Sequence, residues 1–137
     1  MDEGHRMQIE RACERLILRF CVLVDGYRHE ELAGLWAEDA VWETWRGPVQ
    51  GRAAIRAYLD AKPRTDTTIH IAQNVLIDVH DERSAGGTAV FSYHGTRRND
   101  AASLVPRVVG RYFDRFVLTA EGWRFAHRRT EMTFTAS

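Results

Sequence analysis

The 137-residue chain sets 19 Lys plus Arg against 19 Asp plus Glu, so its net charge is zero. That balance leaves no electrostatic footprint for nucleic acid or for an acidic membrane surface. Hydrophobic residues at 45% and charged residues at 28% are the proportions of an ordinary globular protein, and the length suits a single domain over residues 1–137.

The start, Met1-Asp2-Glu3-Gly4-His5-Arg6, is polar and lacks a signal-peptide core, and no apolar run is long enough to span a bilayer. These features predict a cytoplasmic protein with no membrane partner. Ile9, Cys13, Leu16, Ile17, Phe20 and Val24 recur at spacings of three and four, with Glu10, Arg11, Glu14, Arg15 and Arg19 opposite. This is an amphipathic helix. It should close near Asp25-Gly26, where glycine suits the left-handed conformation that ends helices. Cys13 and Cys21 fall on this helix, about 12 Å apart at a rise of about 1.5 Å per residue, too far for a mutual disulfide.

A short second helix is predicted over His29 to Trp36, with Leu32, Leu35 and Trp36 on one face, and Glu38-Asp39 reads as a turn. Val41 to Trp45 favours a strand, broken by Gly47-Pro48. Gly51 to Asp60 is a third helix, with Ile55, Tyr58 and Leu59 inward, closed by Pro63. The rest reads as strands: Thr67 to Val79, Thr88 to Arg98, Leu104 to Leu118 and Trp123 to Thr135, with turns at Asp81–Gly87 and Glu121-Gly122 and a loop over Asn99–Ser103. In the first of them, Ile69, Ile71, Val75, Ile77 and Val79 should share one face and His70, Ala72, Asn74 and Leu76 the other. Pro106 fits a strand start or an edge. The order predicts an α+β fold: three N-terminal helices packed on one face of a strongly curved, antiparallel or mixed sheet. Phe91, Tyr93, Val109, Phe113 and Val117 are candidates for a second apolar face, which predicts a homodimer. The pairs Arg97-Arg98 and Arg128-Arg129 read as solvated strand ends.

Few residues could carry chemistry. Asp25 sits at a helix C-terminus, where the helix dipole disfavours a second anion. It is either a solvated end residue or a carboxylate answered by a donor. His70 lies in an apolar strand, on the face with the small and polar residues Ala72 and Asn74, which suggests a cavity; His94, one strand later, could approach the same space. An aspartate that fixes a histidine tautomer makes an acid–base pair able to remove and return a proton. Tyr27, Tyr58, Trp42 and Trp45 could line an aromatic pocket, a tyrosine hydroxyl polarising a substrate oxygen. Each aromatic alone is more often a plain core residue. His5, His29 and His80 read as surface. No metal-ligand spacing, phosphate-binding glycine loop or nucleophile elbow occurs, so neither a metal nor a cofactor is predicted.

In order and spacing, several segments resemble the SnoaL-like group of the nuclear transport factor 2-like superfamily. They are Val24-Asp25-Gly26, Leu35 to Val41, Gly51 to Ile55, Thr68 to Asn74, Gly110-Arg111-Tyr112 and Gly122 to Phe125, and the likeness runs over roughly residues 8 to 134. The resemblance implies a cone-shaped, ketosteroid-isomerase-like fold with the site inside the cone, Tyr112 and Asn74 among its lining. Asp25 and His70 match the dyad of scytalone dehydratase and hexachlorocyclohexane dehydrochlorinase, and His94 matches a second histidine of the former. Thr44 stands where ketosteroid isomerases carry their base carboxylate, and Asp114 is the nearest match to the late-strand aspartate of polyketide cyclases. The reading is a cofactor-independent lyase of the dehydratase type, or a related isomerase or cyclase, acting on a small, largely apolar cyclic substrate. The alternative is a non-catalytic binding or association module of the same fold.

Overall fold

The computed structural model describes residues 1–96 and 104–136. Helix α1 spans Glu3–Asp25 and buries Ile9, Cys13, Leu16, Ile17, Phe20, Cys21 and Leu23. Asp2 caps it, its carboxylate accepting from the His5 amide at 2.7 Å. Gly26 closes the helix at φ −86, and the left-handed residue is instead Tyr27, at φ 54. A tyrosine pays about 1–2 kcal/mol for that conformation. Its hydroxyl donates to the Asp66 carbonyl at 2.6 Å, a bond that holds the turn.

Helix α2 covers only His29–Ala33, and β1 runs from Trp36 to Thr44. The predicted second helix was therefore too long, and Glu38-Asp39 is strand rather than turn. Leu32, Leu35 and Trp36 satisfy a helical spacing, but the Leu35 carbonyl accepts from the Phe125 amide at 2.8 Å, so the chain has already joined the sheet. Gly47-Pro48 does not end the sheet either. It opens β2, Gly47–Gln50, which pairs antiparallel with β1. Helix α3 is Arg52–Asp60, with Ile55 and Leu59 fully buried. The β1–β2 hairpin thus separates α2 from α3, and the helices are not one N-terminal run.

The remaining strands are β3 (Thr67–Val79), β4 (Ser84–Thr96), β5 (Val108–Thr119) and β6 (Gly122–Thr135). They form one six-stranded sheet in the order β2-β1-β6-β5-β4-β3, antiparallel except between β1 and β6. The α+β class and the mixed sheet are as predicted. Gly86 and Gly87 lie within β4, not in the turn, and Pro106 stands just ahead of β5. The Arg97-Arg98 pair and the Asn99–Ser103 loop lie outside the described residues.

Two register features decide which side chains face inward. Asn74 has φ 52, at a bulge between the pairs Gln73↔Val90 and Leu76↔Thr88. Before it, Thr68, His70 and Ala72 face the helices, while Ile69 and Ile71 are exposed. After it, Val75, Ile77 and Val79 face the core, and Leu76 is exposed. The single-face assignment of the five β-branched residues is thereby corrected, and Asn74 points away from the inner face. The second feature is Gly110 on β5, opposite Phe91. A Cβ there would stand 2.1 Å from the Glu131 carbonyl oxygen and 2.7 Å from the Phe91 ring. Its absence lets Phe91 stack on Tyr112 with centroids 4.3 Å apart. Phe91 and Tyr93 therefore belong to the inner face, not to the second apolar face. His94, paired with Ile69, goes to the outer one.

Candidate active site

Helix α1 packs on β3, and this brings Asp25 to the N-terminal half of that strand. Three donors meet its carboxylate: the His70 ring Nδ1 at 2.6 Å and the Thr68 hydroxyl at 3.0 Å on Oδ1, and the His70 amide at 2.8 Å on Oδ2. A helix-end anion that sequence alone leaves open is thus fully answered. An ionised carboxylate only accepts, so the contact fixes Nδ1–H as donor and leaves Nε2 as the nitrogen able to take a proton. The His70 and Asp25 side chains retain 16% and 21% exposure, so the pair is sheltered but reachable.

His70 borders a cavity of about 590 Å³ between the helices and the sheet. Phe20, Trp42, Tyr58, Phe91, Tyr93 and Tyr112 give it an aromatic wall, and Trp45 and Lys62 stand at its exposed margin. The Tyr93 ring lies 4.9 Å from the His70 ring, and Phe20 meets His70 edge-on at 6.3 Å. Trp42 Nε1 donates to the Thr130 hydroxyl at 3.3 Å, which fixes the indole. Burial, then the nearby Asp66 carboxylate, pushes the Tyr27 and Tyr93 hydroxyls above the ordinary tyrosine range. Burial raises Tyr112 further still. All three stay protonated at neutral pH.

Of the residues singled out in the sequence, Asp25 and His70 meet, and Tyr27, Trp42, Trp45, Tyr58 and Tyr112 line the cavity with His70. His94 and Asn74 do not. His94 lies on the opposite face of β4, and the bulge turns Asn74 outward. Thr44 does line the cavity, without a carboxylate to offer. Asp114 is committed elsewhere. It is buried and accepts from two of the three Arg128 nitrogens, Nε at 2.7 Å and Nη2 at 2.9 Å. Burial drives its carboxyl upward against the pull of the guanidinium, and Asp114 in turn outweighs burial to keep Arg128 cationic. Arg128 is no solvated strand end: it is 0% exposed and sits over the rings of Tyr112, Phe20 and Phe125. His29 is likewise buried, against expectation, its Nδ1 2.8 Å from Asp60.

The SnoaL-like domain pattern matches residues 5–129. The chain belongs to the SnoaL-like family. Among solved structures it is similar to a Novosphingobium aromaticivorans protein provisionally named a scytalone dehydratase, at 26% identity and a TM-score of 0.83, covering 98% of this chain and 91% of that one. A Mycobacterium tuberculosis protein of unknown function is similar at 28% identity and a TM-score of 0.80, over 92% and 76% of the two chains. The type 3 hexachlorocyclohexane dehydrochlorinase LinA of Novosphingobium barchaimii LL02 shares the fold, with a TM-score of 0.83 at 18% identity over 98% and 93%. No curated protein matches the sequence. The likeness to the dehydrochlorinase is one of fold.

Several cavity residues of this SnoaL-like domain have no sequence signal. Thr68, Tyr93 and Thr130 are brought to the wall only by the pairing register, and Phe20 reaches it from the buried face of α1. Among the described residues no cluster of three or more His, Cys, Asp or Glu could hold a metal ion, and no helix is long and apolar enough to cross a membrane.

Proposed function

We propose that this SnoaL-like protein is a cofactor-independent lyase of the dehydratase type, working through the Asp25–His70 pair on a small, largely apolar cyclic substrate. The observation that carries this reading is the 2.6 Å contact between the two side chains on the wall of an open aromatic cavity. His70 Nε2 takes a proton from the carbon beside a carbonyl, and the electron pair of that C–H bond forms the new C=C bond. The C–O bond at the neighbouring carbon breaks, and the departing hydroxyl receives the proton back from Nε2 and leaves as water. Asp25 holds the tautomer and stabilises the imidazolium between the two transfers. Tyr27 cannot serve as the oxygen donor while its proton is given to Asp66. Tyr58, which also lines the cavity, takes that role. Isomerisation and cyclisation would use the same proton shuttle.

The binding-only alternative would be favoured by a cavity filled by its own side chains or by an Asp25 turned to solvent, and neither is found. We place a second copy against the outer sheet face, where Ile69, Ile71 and Phe134 are exposed. Light scattering of the purified chain at twice the monomer mass would support that dimer. A monomer would remove it.

The test of the dyad is a panel of cyclic β-hydroxy ketones, followed by the absorbance of the conjugated enone they form. The wild-type chain should accelerate elimination, and His70→Ala should lose about a thousandfold or more of that rate while folding normally. Turnover retained in the folded variant would defeat the assignment.

A further inference from the structure

The charges bordering the cavity are unequal. Arg46, Lys62 and Arg107 line it, against Asp66 as the carboxylate of the lining. Asp25, hydrogen-bonded to His70 on the wall, adds a second negative charge beside the cavity, held by three donors. A chain of zero net charge thus sets three cations against two carboxylates around this cavity.

These cations are positioned. The Lys62 ammonium stands 4.7 Å from the Tyr58 ring centroid and 5.8 Å from that of Trp42, both cavity residues. The Arg46 guanidinium lies 4.6 Å over Trp45, on the turn between β1 and β2. Ring faces hold a cation without neutralising it. Among the described residues neither Lys62 nor Arg46 has a carboxylate partner, whereas Arg56 and Arg64, close by in sequence, share Asp60. The site therefore offers two aromatic-seated, unpaired cations on the margin of an apolar chamber whose acid–base pair lies on its wall.

We propose that the mouth of the cavity is an anion-recognition site, and that the substrate is a ring compound bearing a carboxylate or similar anionic group on the side away from the reacting carbon. The inference rests on the dehydratase reading for the role of the chamber and names the substrate class within it. The ring would lie against Trp42, Phe20 and Tyr112, and the anion would meet Lys62 and Arg46. Because the anionic group takes no part in the bonds that form and break, this contact holds substrate and transition state alike and should appear in KM rather than in kcat.

The test compares 1-naphthoate with its neutral near-isostere 1-naphthamide by titration calorimetry. At low ionic strength the carboxylate should bind at least about fivefold more tightly than the amide, and added salt should erode that preference. The double variant Lys62→Gln/Arg46→Gln should bring the two affinities together by weakening the carboxylate alone. Arg19→Gln, which removes an exposed cation of α1 away from the cavity, should change neither. Amide binding as tight as the carboxylate, no binding of the carboxylate, or a preference that survives the double variant would each overturn the proposal. His70→Ala separates the two readings. Loss of the anion preference in the wild type leaves the dyad standing, whereas turnover retained in His70→Ala removes the dyad and leaves the anion site to be judged by its own binding data.

Discussion

Two polar pairs lie on the inner side of the sheet, and Phe20 touches both. Its ring centroid is 6.3 Å from that of His70 and 4.4 Å from the Arg128 guanidinium carbon. The Arg128–Asp114 pair is sealed, with both side chains 0% exposed, bidentate, and faced by Phe20, Tyr112 and Phe125. The Asp25–His70 pair keeps part of its surface and borders the cavity. Opposite charges at hydrogen-bond distance are common to both, so distance alone does not mark a reactive site. What separates them is what remains after pairing. Arg128 and Asp114 consume one another and leave one guanidinium nitrogen, Nη1, without a partner in a place that nothing enters. Asp25 is consumed entirely, and its partner His70 keeps a ring nitrogen that can still exchange a proton.

Cutting each pair should therefore give opposite phenotypes. Asp25→Asn leaves the His70 tautomer unfixed, and enone formation should fall by about a hundredfold or more, with a melting temperature close to wild type. Arg128→Ala strands a buried carboxylate and should cost about 3–5 kcal/mol of stability in denaturant titration. If Arg128→Ala instead left stability untouched while abolishing turnover, the division between a sealed and a working pair would be wrong. Tyr27→Phe removes the bond to the Asp66 carbonyl and should cost about 1 kcal/mol, read in the same titration.

Two smaller effects sharpen the comparison at the periphery. Asp60 is held below its ordinary value of 3.8, first by the hydrogen bond from His29 and then by Arg56. A depressed carboxylate contributes stability above its unfolded pKa and loses it as pH falls through the folded one. Asp60→Asn should thus be less stable than wild type at neutral pH, and the two melting temperatures should converge below about pH 4. Burial pushes the thiols of Cys13 and Cys21 up to about 12 and about 11. Both should resist a disulfide reagent at pH 8 until the chain is unfolded.

The sequence made the long elements legible because their signals are local. The 3.6-residue stripe of α1 and the β-branched run Thr67–Val79 appear where expected, and the likeness of segments around Asp25 and His70 anticipated their meeting. What failed was parity. With apolar residues on both faces of β3 and β4, alternation could not tell inside from outside, and Ile69 and Ile71 look as core-like as Val75. The bulge at Asn74 needs a positive φ that asparagine tolerates but does not announce. Trp36 was taken for helix because three and four residue spacings occur at a helix end and a strand start alike. Arg128 and His29 were misplaced because type alone makes both surface residues, and only Asp114 and Asp60, distant in sequence, make their burial affordable.

The Asn74 bulge divides one strand between two tasks. Upstream of it, Thr68 and His70 meet the Asp25 carboxylate beside the cavity; downstream, Val75, Ile77 and Val79 pack on the core. On the proposed mechanism, a substitution ahead of position 74 should be felt by turnover, and one behind it by folding. Removing a single residue at the bulge would exchange the faces of one half against the other, turning either His70 or the valines to solvent. The cavity-facing half of this strand can thus vary apart from the half that packs the core, provided the kink between them is kept.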